Sequence, residues 1–229
     1  MAAAPPRMNR FYILLGAGAV AGALILFYLV QRPRSVSIPA NVTVLAADTA
    51  GFRGYVLGSD SAQVEITEYA DFQCPACGDF AAVQWPTVRD QLIATGRLRW
   101  RFRDFPLAQH PHARLAAHAA ACAGDQGKYW EMNEAIFAGQ YDWSPQRNAA
   151  STFRGYATRL GLDAAAYDAC MRSARYAGRI QASVEEGARL GVNGTPTFLV
   201  GDRLYYSILS SDSIRAIVDR LTPAPAPAK

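Results

Sequence analysis

Cys74 and Cys77 lie in the run Asp71-Phe-Gln-Cys-Pro-Ala-Cys-Gly-Asp-Phe80, separated by Pro75 and Ala76. A Cys-x-x-Cys pair can cycle between dithiol and disulfide, hold half of a zinc site, or form a small structural bridge. Context weighs among these. The pair follows the β-branched run Val64-Glu-Ile-Thr-Glu-Tyr69 and precedes a helical pattern, which puts Cys74 at a helix N-terminus. There the unpaired N–H groups and the helix dipole stabilise an anion, so the first thiol ionises below its ordinary value. Cys77 is close enough to attack a mixed disulfide formed at Cys74. Zinc ribbons bring two close-spaced pairs, whereas Cys122 and Cys170 stand singly and far away. A bridge across so short a loop would constrain the unfolded chain little. The pair reads first as a redox centre, with zinc the lesser alternative.

The elements around it follow from periodicity. In the strand at Val64–Tyr69, Val64, Ile66 and Glu68 share one face. A carboxyl among apolar neighbours is hard to ionise, so Glu68 is expected to keep its proton to higher pH. The helix after Cys77 runs to about Thr95, with Pro86 predicting a kink or break. Arg97-Leu-Arg-Trp-Arg-Phe-Arg103 alternates, with Leu98, Trp100 and Phe102 inward and the arginines on a solvated face near a sheet edge. No aromatic residues interleave on the arginine side, which argues against a nucleic-acid partner. His112 to Leu190 is helical in four or five segments, punctuated at Gly124, Gly139, Ser144-Pro145, Gly161 and Gly191, with Asp163 an N-cap. His110, His112 and His118 read as helix-entry and surface residues rather than metal ligands. Strands at Thr197–Val200 and Leu204–Ile208 and a helix to Leu221, capped by Ser211 or Asp212, complete an α/β sheet interrupted by an all-α subdomain.

The whole chain carries 23 basic and 19 acidic residues, so no polyanionic partner is called for. Phe11 to Val30 is free of charge and flanked by Arg7, Arg10, Arg32 and Arg34. Its length matches a bilayer core. The expected organisation is a short segment at 1–10, a transmembrane anchor at 11–30, a tether at 31–51, a catalytic domain at 52–222 with its helical insertion at about 111–191, and a Pro/Ala tail at 223–229. Cleavage after Ser35-Val-Ser37 is the alternative to an anchor.

Gly54-Tyr-Val-Leu-Gly58, Glu68-Tyr-Ala-Asp-Phe-Gln-Cys-Pro-Ala-Cys77, Phe102-Arg-Asp-Phe-Pro-Leu107 and Gly191-Val-Asn-Gly-Thr-Pro-Thr-Phe198 together make the chain resemble the DsbA-like thiol:disulfide oxidoreductases. The resemblance implies a thioredoxin fold with an inserted all-α subdomain, here preceded by a single transmembrane helix. It implies that Cys74 is the nucleophile and Cys77 the resolving thiol. Pro196 would be the cis-proline facing the pair, and Thr195 would offer backbone hydrogen bonds to a client strand, beside Pro75 and Ala76. Glu68 would exchange protons with Cys77. The most oxidising members carry histidine where this chain has Ala76, which leaves the redox poise open. Similar proteins often join the positions of Cys122 and Cys170; two unpaired buried thiols are the alternative. The redox-active disulfide would be the sole redox group, with no metal and no further cofactor.

The expected function is that of a membrane-anchored, extracytoplasmic (periplasmic) monomer. It would donate the Cys74–Cys77 disulfide to reduced, unfolded exported proteins and be re-oxidised by a quinone-linked membrane partner. A reductase or isomerase of the same fold, or a non-redox chaperone module, is the alternative.

Overall fold

The structure is a computed structural model that describes residues 8–31 and 36–222, with side chains for 12–27 and 36–222. The chain divides into two units, 1–35 and 36–229. In the first, α1 spans Met8–Gln31. Among the described residues, no helix is long and apolar enough to cross a membrane, which corrects the expected transmembrane helix. Gly16, Ala17, Gly18, Ala19, Ala21, Gly22 and Ala23 fill the centre of the helix with small groups, which carry little apolar surface. The single-pass topology falls with the anchor. So do the membrane localisation and the attachment to a membrane partner through that helix.

The second unit is built on a mixed sheet of β1 (Tyr55–Leu57), β2 (Val64–Ala70), β3 (Leu98–Asp104), β4 (Thr197–Val200) and β5 (Arg203–Tyr206), in the order β1-β3-β2-β4-β5. Only β2 and β3 run parallel. β2 lies at the centre, and its residues are buried along almost their whole length. β3 is paired on both sides rather than lying at an edge. Its arginines are correspondingly covered: Arg101 holds Glu65 at 2.8 Å, Arg99 reaches Asp60 at 3.0 Å, and the buried Arg103 pairs with Glu186. Carboxylates from other segments take up the face that alternation alone assigns to solvent.

The helix after the cysteines comprises α3 (Pro75–Asp79), a π segment (Phe80–Gln84), α4 (Trp85–Val88) and a second π segment (Arg89–Ile93). Pro86, expected to kink or break it, is accommodated by widened turns; the Trp85 N–H reaches back to the Phe80 carbonyl. This helix and α11 (Ser211–Leu221), N-capped by Ser210, cover one sheet face through Phe80, Trp85, Leu92, Trp100, Phe198 and Ile214.

The insertion contains α5 (Ala113–Gly124), α6 (Tyr129–Ala138), α7 (Gln140–Trp143), α8 (Ala150–Arg159), α9 (Ala164–Ser173) and α10 (Ala177–Leu190). Asp163 caps α9 through Ala166 N, and Gly191 ends α10 in the left-handed region at φ 96°. One turn, at Ala174, has no glycine or proline to announce it. Part of the segment expected as a tether packs on this unit: Ile38 is buried in its largest core, and α2 (Ala46–Thr49) contacts α10. Residues 32–35 and the expected tail at 223–229 lie outside the described residues.

Candidate active site

Cys74 is the N-cap of α3, with extended backbone at φ −70° and ψ 122°, and Pro75 takes the first helical turn. Proline suits that position because its missing N–H would have no partner there. Pro75 is exposed and Ala76 half-buried, while both cysteines are buried free thiols. The Cys74 Sγ lies 3.3 Å from the Thr195 carbonyl, and Thr195–Pro196 is a cis peptide. The chain from β2 and the chain entering β4 thus meet at one sulfur.

The two thiols are electrostatically unlike. Cys74 is lowered to about 5, first by the hydrogen bond from the Cys77 thiol, then by Thr195 and by the backbone N–H groups of Cys77 and Ala76, with burial opposing. Cys77 is pushed well above the ordinary thiol value, first by burial, then by Cys74 and the neighbouring Glu68.

Glu68 sits on the central strand, in register with Phe102 on one side and Phe198 on the other. Burial raises it to about 8, opposed by the Trp100 indole N–H, which donates to Oε2 at 3.1 Å. Glu68 is therefore mostly protonated at neutral pH and able to exchange a proton there.

Several residues that the sequence did not single out hold this centre in place. Gln140 donates through Nε2 to the carbonyls of Phe72, at 2.7 Å, and Cys74, at 2.9 Å. The buried carboxylate of Asp71 accepts from Gln73 N and Leu107 N and meets His110 Nδ1 at 2.7 Å. Gln73 Oε1 accepts from His112 N. The signal available in the sequence was polar residues at both ends of a buried loop, but their partners lie tens of residues away.

Cys122 and Cys170 form a disulfide between α5 and α9, with Cα atoms 5.7 Å apart. His118, expected at the surface, is fully buried beside it, its Nε2 3.1 Å from the Cys170 carbonyl. Its alanine-rich helix packs against α6 and α9 at once, leaving no exposed face there. His118, Cys122 and Cys170 lie close enough to ligate a metal, but the bridge consumes both sulfurs.

A Cys-x-x-Cys pair at a helix N-terminus, a cis-proline loop against its first sulfur and an all-α insertion in a thioredoxin fold define a DsbA-like thiol:disulfide oxidoreductase. Its redox group is its own cysteine pair. The thioredoxin family model matches residues 52–220, and the chain belongs to that family. A thioredoxin-like oxidoreductase from Silicibacter pomeroyi DSS-3 superposes with TM-score 0.62 at 26% identity, covering 77% of this chain and 97% of that one. Wolbachia pipientis alpha-DsbA1 superposes at 0.66 with 22% identity, covering 74% and 90%, a likeness of fold. Among curated proteins, the Na(+)/H(+) antiporter NhaA 1 of Salinispora arenicola is 36% identical over 72% of this chain but only 24% of its own length. The chain spans about a quarter of the length of such relatives.

Proposed function

We propose that the Cys74–Cys77 disulfide oxidises dithiols in reduced polypeptides. A substrate thiolate attacks Cys74, forming a mixed disulfide and releasing the Cys77 sulfur, which takes a proton from Glu68. A second substrate thiolate attacks the substrate sulfur, releasing Cys74 as a thiolate and leaving the substrate disulfide-bonded. Two electrons pass to the cysteine pair. Thr195 and the Pro196 loop would hold the substrate strand beside Pro75 and Ala76.

The observation that carries this direction is the inequality between the thiols, Cys74 at about 5 and Cys77 far above it. A stabilised thiolate favours the reduced pair, which makes the disulfide a stronger oxidant and Cys74 the better leaving group.

The test is the equilibrium reduction potential of Cys74–Cys77 in glutathione buffers. A value near about −120 mV supports the oxidase, whereas one near about −270 mV makes the enzyme a reductase.

A further inference from the structure

Away from the redox centre, three metal-ligating side chains meet inside the helical insertion. His118 and Cys122 are four residues apart on α5 and so share a face of that helix, and Cys170 reaches the same face from α9. A ring nitrogen of His118 and the two sulfurs lie within 4.8 Å of one another, and all three residues are buried. While the bridge stands, both sulfurs are taken up. The imidazole is only half used. Its Nε2 donates to the Cys170 carbonyl at 3.1 Å, which leaves the lone pair on Nδ1, and Nδ1 has no hydrogen-bond partner among the described residues. Buried polar atoms are rarely left so. Metal-binding imidazoles are held in this manner, one N–H given to a carbonyl to fix the tautomer and the other nitrogen left for the ion.

We propose that His118, Cys122 and Cys170 become a zinc site when the Cys122–Cys170 bridge is reduced, so that α5 and α9 are tied by a disulfide in one redox state and by a metal ion in the other. Two thiols of the glutathione type open the bridge. The S–S bond breaks, each cysteine sulfur takes a proton, and the two electrons come from the thiols, which leave joined as a disulfide. Zn²⁺ then displaces the two thiol protons to solvent and bonds both thiolates and Nδ1 of His118. Zinc suits this donor set, since thiolate and imidazole are its ordinary ligands. Two thiolates and a neutral imidazole also cancel its charge, which favours a buried site. Three protein ligands leave the fourth position to water. Ligand atoms around one zinc stand within about 4 Å of each other, and side-chain rotation covers the difference.

The test uses the full chain carrying Cys74→Ala and Cys77→Ala, so that the redox pair supplies no ligand. Oxidised protein, and protein reduced with a phosphine and desalted without oxygen, are titrated with Zn²⁺ against a chromogenic chelator and with Co²⁺ as a spectroscopic probe. The reduced chain should bind one zinc and show a sulfur-to-cobalt charge-transfer band, and the oxidised chain should do neither. Adding His118→Leu should weaken zinc binding by more than about 100-fold, because even changes one step behind the ligands cost up to that much. Its fold is checked beforehand in the oxidised form, where the bridge still holds the two helices. Thermal unfolding gives a reading with all three ligands intact: zinc should raise the melting temperature of the reduced chain and leave that of the oxidised chain unchanged. A reduced chain that binds no zinc, or binds it without the cobalt–thiolate band, would overturn the proposal. So would zinc binding that is equal in the oxidised chain or undiminished in His118→Leu.

Discussion

Trp100 donates its indole N–H to Oε2 of Glu68 at 3.1 Å, across two neighbouring parallel strands of the sheet. The bond favours the carboxylate, yet burial outweighs it and leaves Glu68 at about 8 against an ordinary 4.5. Between those values the unfolded chain has lost a proton that the native state keeps, so stability falls as pH rises through the window and levels off above it. Asp104, raised by burial to about 7, acts with the same sign over part of that range. Glu68→Gln should therefore be more stable than wild type at pH 8 and little different near pH 5. Urea unfolding at a series of pH values measures this, and parallel profiles would exclude a buried, protonated Glu68. Trp100→Phe removes the one bond that favours the anion and should push Glu68 higher still.

Cys74 has the opposite sign. At about 5 it is a thiolate at neutral pH, and the stability this gives the reduced protein is present above the ordinary thiol value and lost as pH falls through 5. Titration of the reduced protein by thiolate absorbance should show one group with a midpoint near 5, and alkylation at neutral pH should label Cys74 before Cys77. Because the Cys77 thiol is the largest cause of the shift, Cys77→Ala should raise the midpoint. An unchanged midpoint would put the stabilisation in the helix N-terminus and Thr195.

How much of this was readable without coordinates depends on where each partner comes from. Cys74 and Cys77 are legible because a strand ending and a helix beginning place them locally, whereas the partners of Glu68, Trp100, Phe102 and Phe198, come from other strands. Asp163 and Gly191 were legible because caps act locally. The alternation in β3 suggests a sheet edge, whereas β3 is internal; its outer neighbour, β1, is three residues long and too short to show a period. The covered arginines, the buried His118 and the two hydrogen bonds of Gln140 depend on segments brought together from far along the chain, which alternation within one element cannot report.

The Cys122–Cys170 bridge closes a loop with sequence separation 48 between two helices of the insertion. A loop of that size corresponds to about 4 kcal/mol of unfolded-chain entropy. Replacing both cysteines by alanine should lower stability by up to about that amount while leaving the Cys74 titration in place, since the bridge touches no residue of the redox pair. Paired thermal unfolding and thiolate titration would check both halves. A double variant that also lost the low Cys74 value would show that the insertion orders the redox centre as well as covering it.

Gln140 is where that coupling is most direct. Its Nε2 binds the carbonyls on either side of Gln73, and its Oε1 sits where a side chain on Gly78 would go: a Cβ there would lie 2.4 Å from it. Gln140 is buried, so its amide has little room to retreat. Gly78→Ala should therefore displace Gln140 and free both carbonyls. Gln140→Leu should remove the same bonds while leaving Gly78 unclashed. Leaving buried carbonyls unpaired costs about 2 kcal/mol, so both variants should lose stability on that scale in denaturant unfolding. If Gln140 positions the Cys74 loop, both should also move the Cys74 midpoint upward, because the N–H groups of Ala76 and Cys77 would no longer be held toward the sulfur. Loss of stability with an unmoved midpoint would make Gln140 a brace for the fold with no hold on the thiolate.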